Sequence, residues 1–227
     1  MEARSLHPWN VDYRRAIAIQ EKLRANISLT NSFRTIGSVA GADVSYSRGG
    51  QEGIAAVVIL SYPDLDLMDE AFARGKVSFP YIPGLLSFRE APLLLRVFRK
   101  LQRLPDVILY DGQGIAHPRF LGLASHMGLL LDLPSVGCAK KKLVGDFGEV
   151  GTQPGSITPL EIRGTIVGAV VRTRGGVKPV IVSPGHRIDV ESSIGLVLKT
   201  CRGFRLPEPL RLAHLMVKRI RSHGKTR

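Results

Sequence analysis

Two aspartates stand where aspartate is uncommon. Asp43 interrupts the apolar stretch SVAGADVS, and Asp111 closes the almost wholly apolar run of DVILYDGQG. Strands are depleted in aspartate, and an unpaired buried carboxylate is expensive, so something must compensate each of them. A third acid, Glu90, lies in FREAPLLL. Each has an ordinary explanation when taken alone. Asp43 could face a solvated edge or pair with an arginine, Asp111 could shape a turn with Gly112, and Glu90 could be a first-turn partner of a helix dipole. Brought together, the three would repel one another unless a divalent cation neutralised them. Carboxylate oxygens select Mg²⁺ or Mn²⁺, ions that neutralise phosphate oxygens and activate water. Phosphate transfer is a chemistry that needs such ions, although sequence separation alone does not bring the three acids together.

The charge balance favours a matching substrate. Thirty-two Lys and Arg against 19 Asp and Glu give a formal charge of +13, a field that attracts polyanions and nucleic acid first among them. A ribosomal-type binding protein or a peripheral membrane protein would share that charge. A length of 227 residues suits one large α/β domain or two small ones, and 44% hydrophobic residues can fill a substantial core. With no repeat and no linker, the expectation is a single domain over 1–227 with a basic tail from about 222. Cys138 and Cys201 lie in apolar settings without metal or redox spacing and read as reduced core thiols. The opening MEARSLHPWN argues against a secretory signal, and no apolar run approaches the roughly 20 residues of a membrane span. A soluble, cytoplasmic protein is expected.

The elements that must position the acids follow from periodicity. Residues 10–28 place Val11, Ala16, Ile19 and Leu23 near helical spacing. Residues 38–45 and 53–61 read as a hairpin turning at Ser47, Arg48, Gly49 and Gly50, with a third strand at 69–79 broken by Pro80, Pro83 and Gly84. From 87 to 101, Phe88, Leu94, Leu95, Phe98 and Leu101 recur at helical intervals, with Arg89, Arg96 and Arg99 outward and Pro92 in the first turn. Residues 106–114 have the pattern of a central buried strand, whose exit loop is a natural place for a site. A helix over 118–132, a strand over 135–145, a second hairpin from 165–173 and 178–185 around Arg174 to Gly176, and helices over about 190–200 and 207–222 complete the chain. This order predicts an α/β protein, a mixed β-sheet flanked by α-helices.

Four segments carry a resemblance: VAGADVSY at 39–46, PYIPGLLSFREAP at 80–92, DGQGIAHPRFLGLASHMGLLLDLPSVGCAKKKLVG at 111–145 and PEPLRLAH at 207–214. The chain resembles the endonuclease V family over roughly residues 10–220. The resemblance implies a ribonuclease H-like fold. It implies a DNA repair endonuclease that recognises deoxyinosine, the product of adenine deamination, and hydrolyses the second phosphodiester bond 3′ to it, leaving 3′-hydroxyl and 5′-phosphate ends. Residue by residue, it implies that Asp43 and Asp111 hold Mg²⁺ (or Mn²⁺), with Glu90 as third acid. Tyr81 would be the wedge pushed into the duplex, and His117, Lys140 and His214 would fill the remaining polar positions. His126, amid a helical apolar face, reads as a structural histidine.

In this scheme Lys140 stabilises transition-state charge, while His214, or Glu90 through a bound water, orients the nucleophile. Hypoxanthine offers an acceptor at O6 and a donor at N1, the reverse of adenine, and backbone groups can read that pattern. Gly84 and Leu85, and Gly112, Gly114 and Ile115, are expected against the flipped base. Arg96, Arg99, Lys100, Arg103 and the basic residues from Lys218 onward are expected to hold flanking backbone. Inosine-containing RNA is the alternative substrate. Another nuclease of the same fold, lacking need of a wedge, and a non-catalytic binder, lacking need of Asp43 and Asp111, are the rival readings. No protein partner is implied, and a monomer is expected.

Overall fold

Alternation along two inner strands sets the architecture. In β1 (Ser38–Tyr46) Ala40 and Ala42 turn to one face and Val39 to the other; in β4 (Val107–Tyr110) Ile108 and Tyr110 join the first set, Val107 and Leu109 the second. Both faces are apolar, so both need a cover. Helices α2 (Leu86–Phe98) and α3 (Leu123–Leu131) cover the first through Leu94, Val97, Phe98 and Met127. Helices α4 (Val190–Lys199) and α5 (Glu208–His223) cover the second through Leu196, Val197, Ala213 and Val217. This computed structural model describes residues 3–223; the end of the expected basic tail, 224–227, lies outside them.

The remaining strands are β2 (Glu52–Ser61), β3 (Leu67–Lys76), β5 (Ser135–Ala139), β6 (Ile157–Ile162), β7 (Thr165–Val171) and β8 (Val180–His186). Together the eight form one sheet in the order β3-β2-β1-β4-β5-β8-β7-β6. β1 to β3 are an antiparallel meander, β4 and β5 run parallel to β1, β8 returns antiparallel to β5, and β7 runs antiparallel to β8. A meander followed by parallel crossover strands, with helices on both faces, is the mixed sheet expected from periodicity and the ribonuclease H-like arrangement that the resemblance implies. The close approach of α5 to β1 requires Gly41, where a Cβ would stand 2.1 Å from the carbonyl carbon of Pro209.

Several local expectations differ from the structure. Helix α1 (Tyr13–Leu23) is shorter than 10–28, because the Asp12 carboxylate caps it by accepting from Arg15 N–H at 2.7 Å and a 3₁₀ turn takes over at Arg24–Asn26. Helix α2 begins at Leu86, so Glu90 and Pro92 fall beyond its first turn. Arg89 bends inward, donating to the carbonyls of Phe79 and Gly50 at 2.6 Å each. Helix α3 starts only at Leu123, since Phe120 takes a positive φ of 56°. Strand β5 ends at Ala139 because the carbonyls of Lys140 and Lys141 are held by Arg205 and Gln113. Strand β6 had no counterpart in the reading of the sequence; it is an edge strand, the position where its Pro159 is tolerated. Cys138 and Cys201 are free thiols, Cys138 buried. Among the described residues no helix is long and apolar enough to cross a membrane.

Candidate active site

The register that pairs Ala42 with Tyr110 sets the next residues, Asp43 and Asp111, level on neighbouring parallel strands. Alternation sends both side chains to the α5 face. There His214 Nδ1 lies 2.9 Å from Asp43 Oδ2, and Lys140 Nζ donates to Asp111 Oδ2. Burial pushes the Asp43 carboxyl above its usual pKa, and the charge of Asp111 adds to the push, while His214 and Lys140 oppose it. Of the lysine run, Lys140 alone meets one of the two aspartates; Lys142 pairs with Asp146 at 3.5 Å.

Glu90 enters from the α2 side and is only 7% exposed, so it is not the solvated dipole partner that an isolated reading would allow. Tyr46 Oη donates to Glu90 Oε1 at 2.8 Å, and the Arg89 guanidinium covers the Tyr46 ring at 4.4 Å. Burial pushes Glu90 up to about 8, with Asp43 and Asp111 contributing in the same direction. It therefore holds a proton at neutral pH.

The donor set fits a hard divalent cation. Asp43 and Asp111 each commit Oδ2 to the contacts above, and neither Oδ1 takes a hydrogen bond among the described residues. Magnesium-like ions bind through one or two carboxylates and complete their shell with water and substrate phosphate. Among the described residues no three His, Cys, Asp or Glu side chains converge on one metal position. Glu90 is thus a neighbour of the aspartate pair and not part of a closed cage.

Beyond Asp111 the chain borders a small buried cavity lined by Gly84, Ser87, Gln113, His117, Gly122 and Leu123. His117 Nε2 donates to Gly84 O at 2.9 Å, and its Nδ1 accepts from Arg119 N–H at 3.2 Å. Burial lowers its pKa to about 4, so the ring is neutral. Gly84 O also accepts from Gln20 Nε2 and Arg119 Nη2 at 3.0 and 2.8 Å. With three donors already on that carbonyl, Gly84 has only its N–H to offer a ligand. Leu85 is fully buried, its N–H bonded to Ile82 O at 2.9 Å, and Leu86 lines the cavity in its place. Gly114 and Ile115 pack behind it against β8, donating to Ser183 Oγ and Pro184 O at 2.8 Å each. Gly112 is held by its own bond to Tyr110 O at 2.8 Å.

Sequence reasoning set the backbone on either side of Gln113 against the base but did not single out its side chain, and it missed Gly122, whose only hint was its place inside the quoted 111–145 segment. Gln113 Oε1 is buried without a hydrogen-bond partner, an acceptor left open at the cavity wall. Tyr81, in contrast, is 69% exposed at the rim of the same loop. His126 is fully buried, bonded to His7 Nε2 at 2.7 Å and Ser87 Oγ at 2.9 Å, in keeping with a structural role.

A sheet of this order, whose first and fourth strands deliver carboxylates side by side, belongs to the ribonuclease H-like nucleases, hydrolases that work with divalent metal. The comparisons narrow the class. The Endonuclease V family model matches residues 21–215. A relative named Endonuclease V from Dehalococcoides mccartyi is 48% identical over 220 residues, covering 97% of this chain and 99% of its own. The crystal structure of the endonuclease V of Bacillus subtilis superposes with a TM-score of 0.93 at 30% identity, covering 99% of both chains. That of Ciona intestinalis, solved with a 24mer DNA containing an inosine followed by a ribo-adenosine, gives 0.79 at 26% identity, covering 93% of this chain and 99% of that one. The chain belongs to the endonuclease V family.

Proposed function

We propose that this protein nicks DNA beside deoxyinosine, hydrolysing the second phosphodiester bond on its 3′ side to leave 3′-hydroxyl and 5′-phosphate ends. The observation that carries the reading is the Asp43–Asp111 pair set one loop away from a small cavity with an open acceptor at Gln113. The inosine-containing DNA bound by the Ciona intestinalis relative supports it.

In this reading Asp43 and Asp111 hold the metal, Mg²⁺ or in its place Mn²⁺. The bound ion supplies charge neutralisation at the scissile phosphate and a lowered pKa for the attacking water. Lys140, beside Asp111, adds positive charge for the developing phosphorane oxygens. His214 fixes the orientation of Asp43 and is exposed enough to steer the attacking water. Glu90 holds its proton against the two aspartates and releases it when their charge is neutralised. The lesion base enters the cavity beside His117, whose neutral ring keeps Gly84 rigid. The open Gln113 oxygen matches a donor such as N1–H of hypoxanthine, which adenine lacks. Tyr81, at the rim, fills the gap left in the stack.

A specific observation favours a second substrate. The ribo-adenosine that followed inosine in the Ciona intestinalis complex puts a ribose in that enzyme's path, so inosine-containing RNA is the alternative. The test is to incubate the protein and Mg²⁺ with end-labelled duplexes carrying one deoxyinosine, no modification, or inosine in RNA, and to map any nick. A nick at the second bond 3′ to deoxyinosine, absent from the unmodified duplex, is expected. Binding without cutting in all three would overturn the proposal.

A further inference from the structure

We propose that the groove between the β1–β3 meander and the end of α5 is a second nucleic-acid subsite, binding the backbone of the cleaved strand on the 3′ side of the cut. The proposal rests on the function given above for its direction along the strand, but not for its existence.

Asp43 and Ser45 lie on the same α5-facing side of β1, two residues apart. That advance is about 7 Å, close to the step between successive phosphates along a strand. Ser45 Oγ accepts from Arg221 Nη1 at 2.9 Å, so the first position past the acids already carries a guanidinium. On α5, His214, Lys218 and Arg221 follow at intervals of four and three and make one stripe leading away from Asp43.

Beyond Ser45 the groove opens, walled by Arg48, Glu52, Ile54, Arg74, Lys76 and Arg221. It is open to solvent and offers about 830 Å³, against about 40 Å³ in the cavity beside His117, room for a length of backbone. Four of its walls are cations and one is an acid. None of the four cations forms a salt bridge among the described residues. Arg74 and Arg221 are oriented instead by neutral acceptors, Ile220 O at 2.7 Å and Ser45 Oγ. The side chains of Arg48 and Lys76 are exposed and make no hydrogen bond among the described residues. Oriented guanidinium groups without an anionic partner form a site built for an external anion chain.

The topology gives the direction. Across the sheet, the groove lies on the β3-β2-β1 side, the acids at β1 and β4, and the base cavity beyond β4. A strand with its lesion base in the cavity and the bond 3′ to it over Asp43 and Asp111 continues into the groove.

The test uses Arg48→Ala/Lys76→Ala in the full chain, with Lys178→Ala/Lys199→Ala, exposed at the other end of the sheet, as a charge-matched control. Binding of labelled strands, with and without deoxyinosine, is measured by fluorescence polarisation across a salt series without divalent metal. The arm 3′ of the cut site is shortened stepwise in one set and the 5′ arm in another. Two lost phosphate contacts lower the log–log salt slope by about 1.4, which is a roughly 7-fold smaller loss of affinity between about 50 and 200 mM salt. The groove variant is expected to show that change on both modified and unmodified strands, and to lose the benefit of a long 3′ arm while keeping that of the 5′ arm. A groove variant with the wild-type slope and 3′-arm dependence, or a control variant with the same loss, overturns the subsite. Wild-type protein that shows no preference for deoxyinosine refutes the proposed function instead, and leaves the slope measurement valid.

Discussion

Replacing Glu90 with Gln should make the metal-free protein more stable, and increasingly so as the pH rises. Glu90 is 7% exposed, and burial lifts its pKa from 4.5 to about 8. A carboxyl whose folded pKa is raised favours the fold in its protonated form. That advantage is complete below about 4.5 and is lost as the pH climbs through 8. At about 1.4 kcal/mol per unit, ionising Glu90 in the fold costs about 5 kcal/mol by pH 8 to 9. Glutamine stays neutral, and its Oε1 can still accept from Tyr46 Oη. The two proteins should therefore melt alike near pH 4.5 to 5 and diverge above it. A domain of this size shifts about 2–4 °C per kcal/mol, so the variant should lead by on the order of 10–20 °C at pH 9. Thermal melts in chelator from pH 5 to 9 measure the gap directly, and the titrations shared by both proteins largely cancel. Added divalent metal should narrow it, because a cation on the aspartate pair stabilises the Glu90 carboxylate. Parallel melting curves across the whole range would refute the assignment of Glu90 as a buried, protonated neighbour of the pair.

Three further substitutions probe the site. Asp43→Asn removes one of the two proposed metal-holding carboxylates and should lower cleavage at least 10³-fold while affinity for a deoxyinosine duplex changes little; equal loss of both in cleavage and filter-binding assays would count against the role given to Asp43. Tyr81→Ala should weaken selective binding of the deoxyinosine duplex by about 1–3 kcal/mol, roughly 5- to 150-fold, and an unaltered nicking rate at low enzyme concentration would end the wedge assignment. Gly41→Ala places a methyl group 2.1 Å from the Pro209 carbonyl carbon, so α5 must move; calorimetry should show a loss of about 2–4 kcal/mol together with reduced cleavage as His214 leaves Asp43, and a fully stable, fully active variant would contradict the packing.

Long, strongly patterned segments were the legible part of this chain. The hairpin at Ser47 to Gly50, the buried run ending at Asp111 and the apolar spacing of Phe88, Leu94 and Leu95 each carry enough periodicity to specify an element. The pairing of Asp43 with Asp111 was not legible from spacing, because it depends on a register between strands 68 residues apart; only the family resemblance supplied it. Element ends were lost where tertiary contacts override local pattern. The capture of the Lys140 and Lys141 carbonyls ends β5, and the positive φ at Phe120 delays α3. Proline misled in opposite ways. Pro159 lies in an edge strand that the sequence reading did not place, and Pro92, read as a first-turn residue, sits six residues into a helix that begins at Leu86. The cavity wall was only half visible, since whether a residue such as Leu85 or Leu86 meets a ligand turns on a single step around a helix.

The bond between His214 and Asp43 joins residues 171 positions apart. On a ribosome adding about 5–20 residues per second, Asp43 waits on the order of 10–30 s for its partner. During that interval the sheet can form its meander and its parallel strands, but Val39, Val107 and Leu109 lack the Ala213 and Val217 that cover them. The nascent chain is thus an incomplete nuclease with one bare apolar face, exposed to aggregation or chaperone capture. Docking of α5 ends both conditions in a single event, so that the proposed active site is complete only once the core has closed.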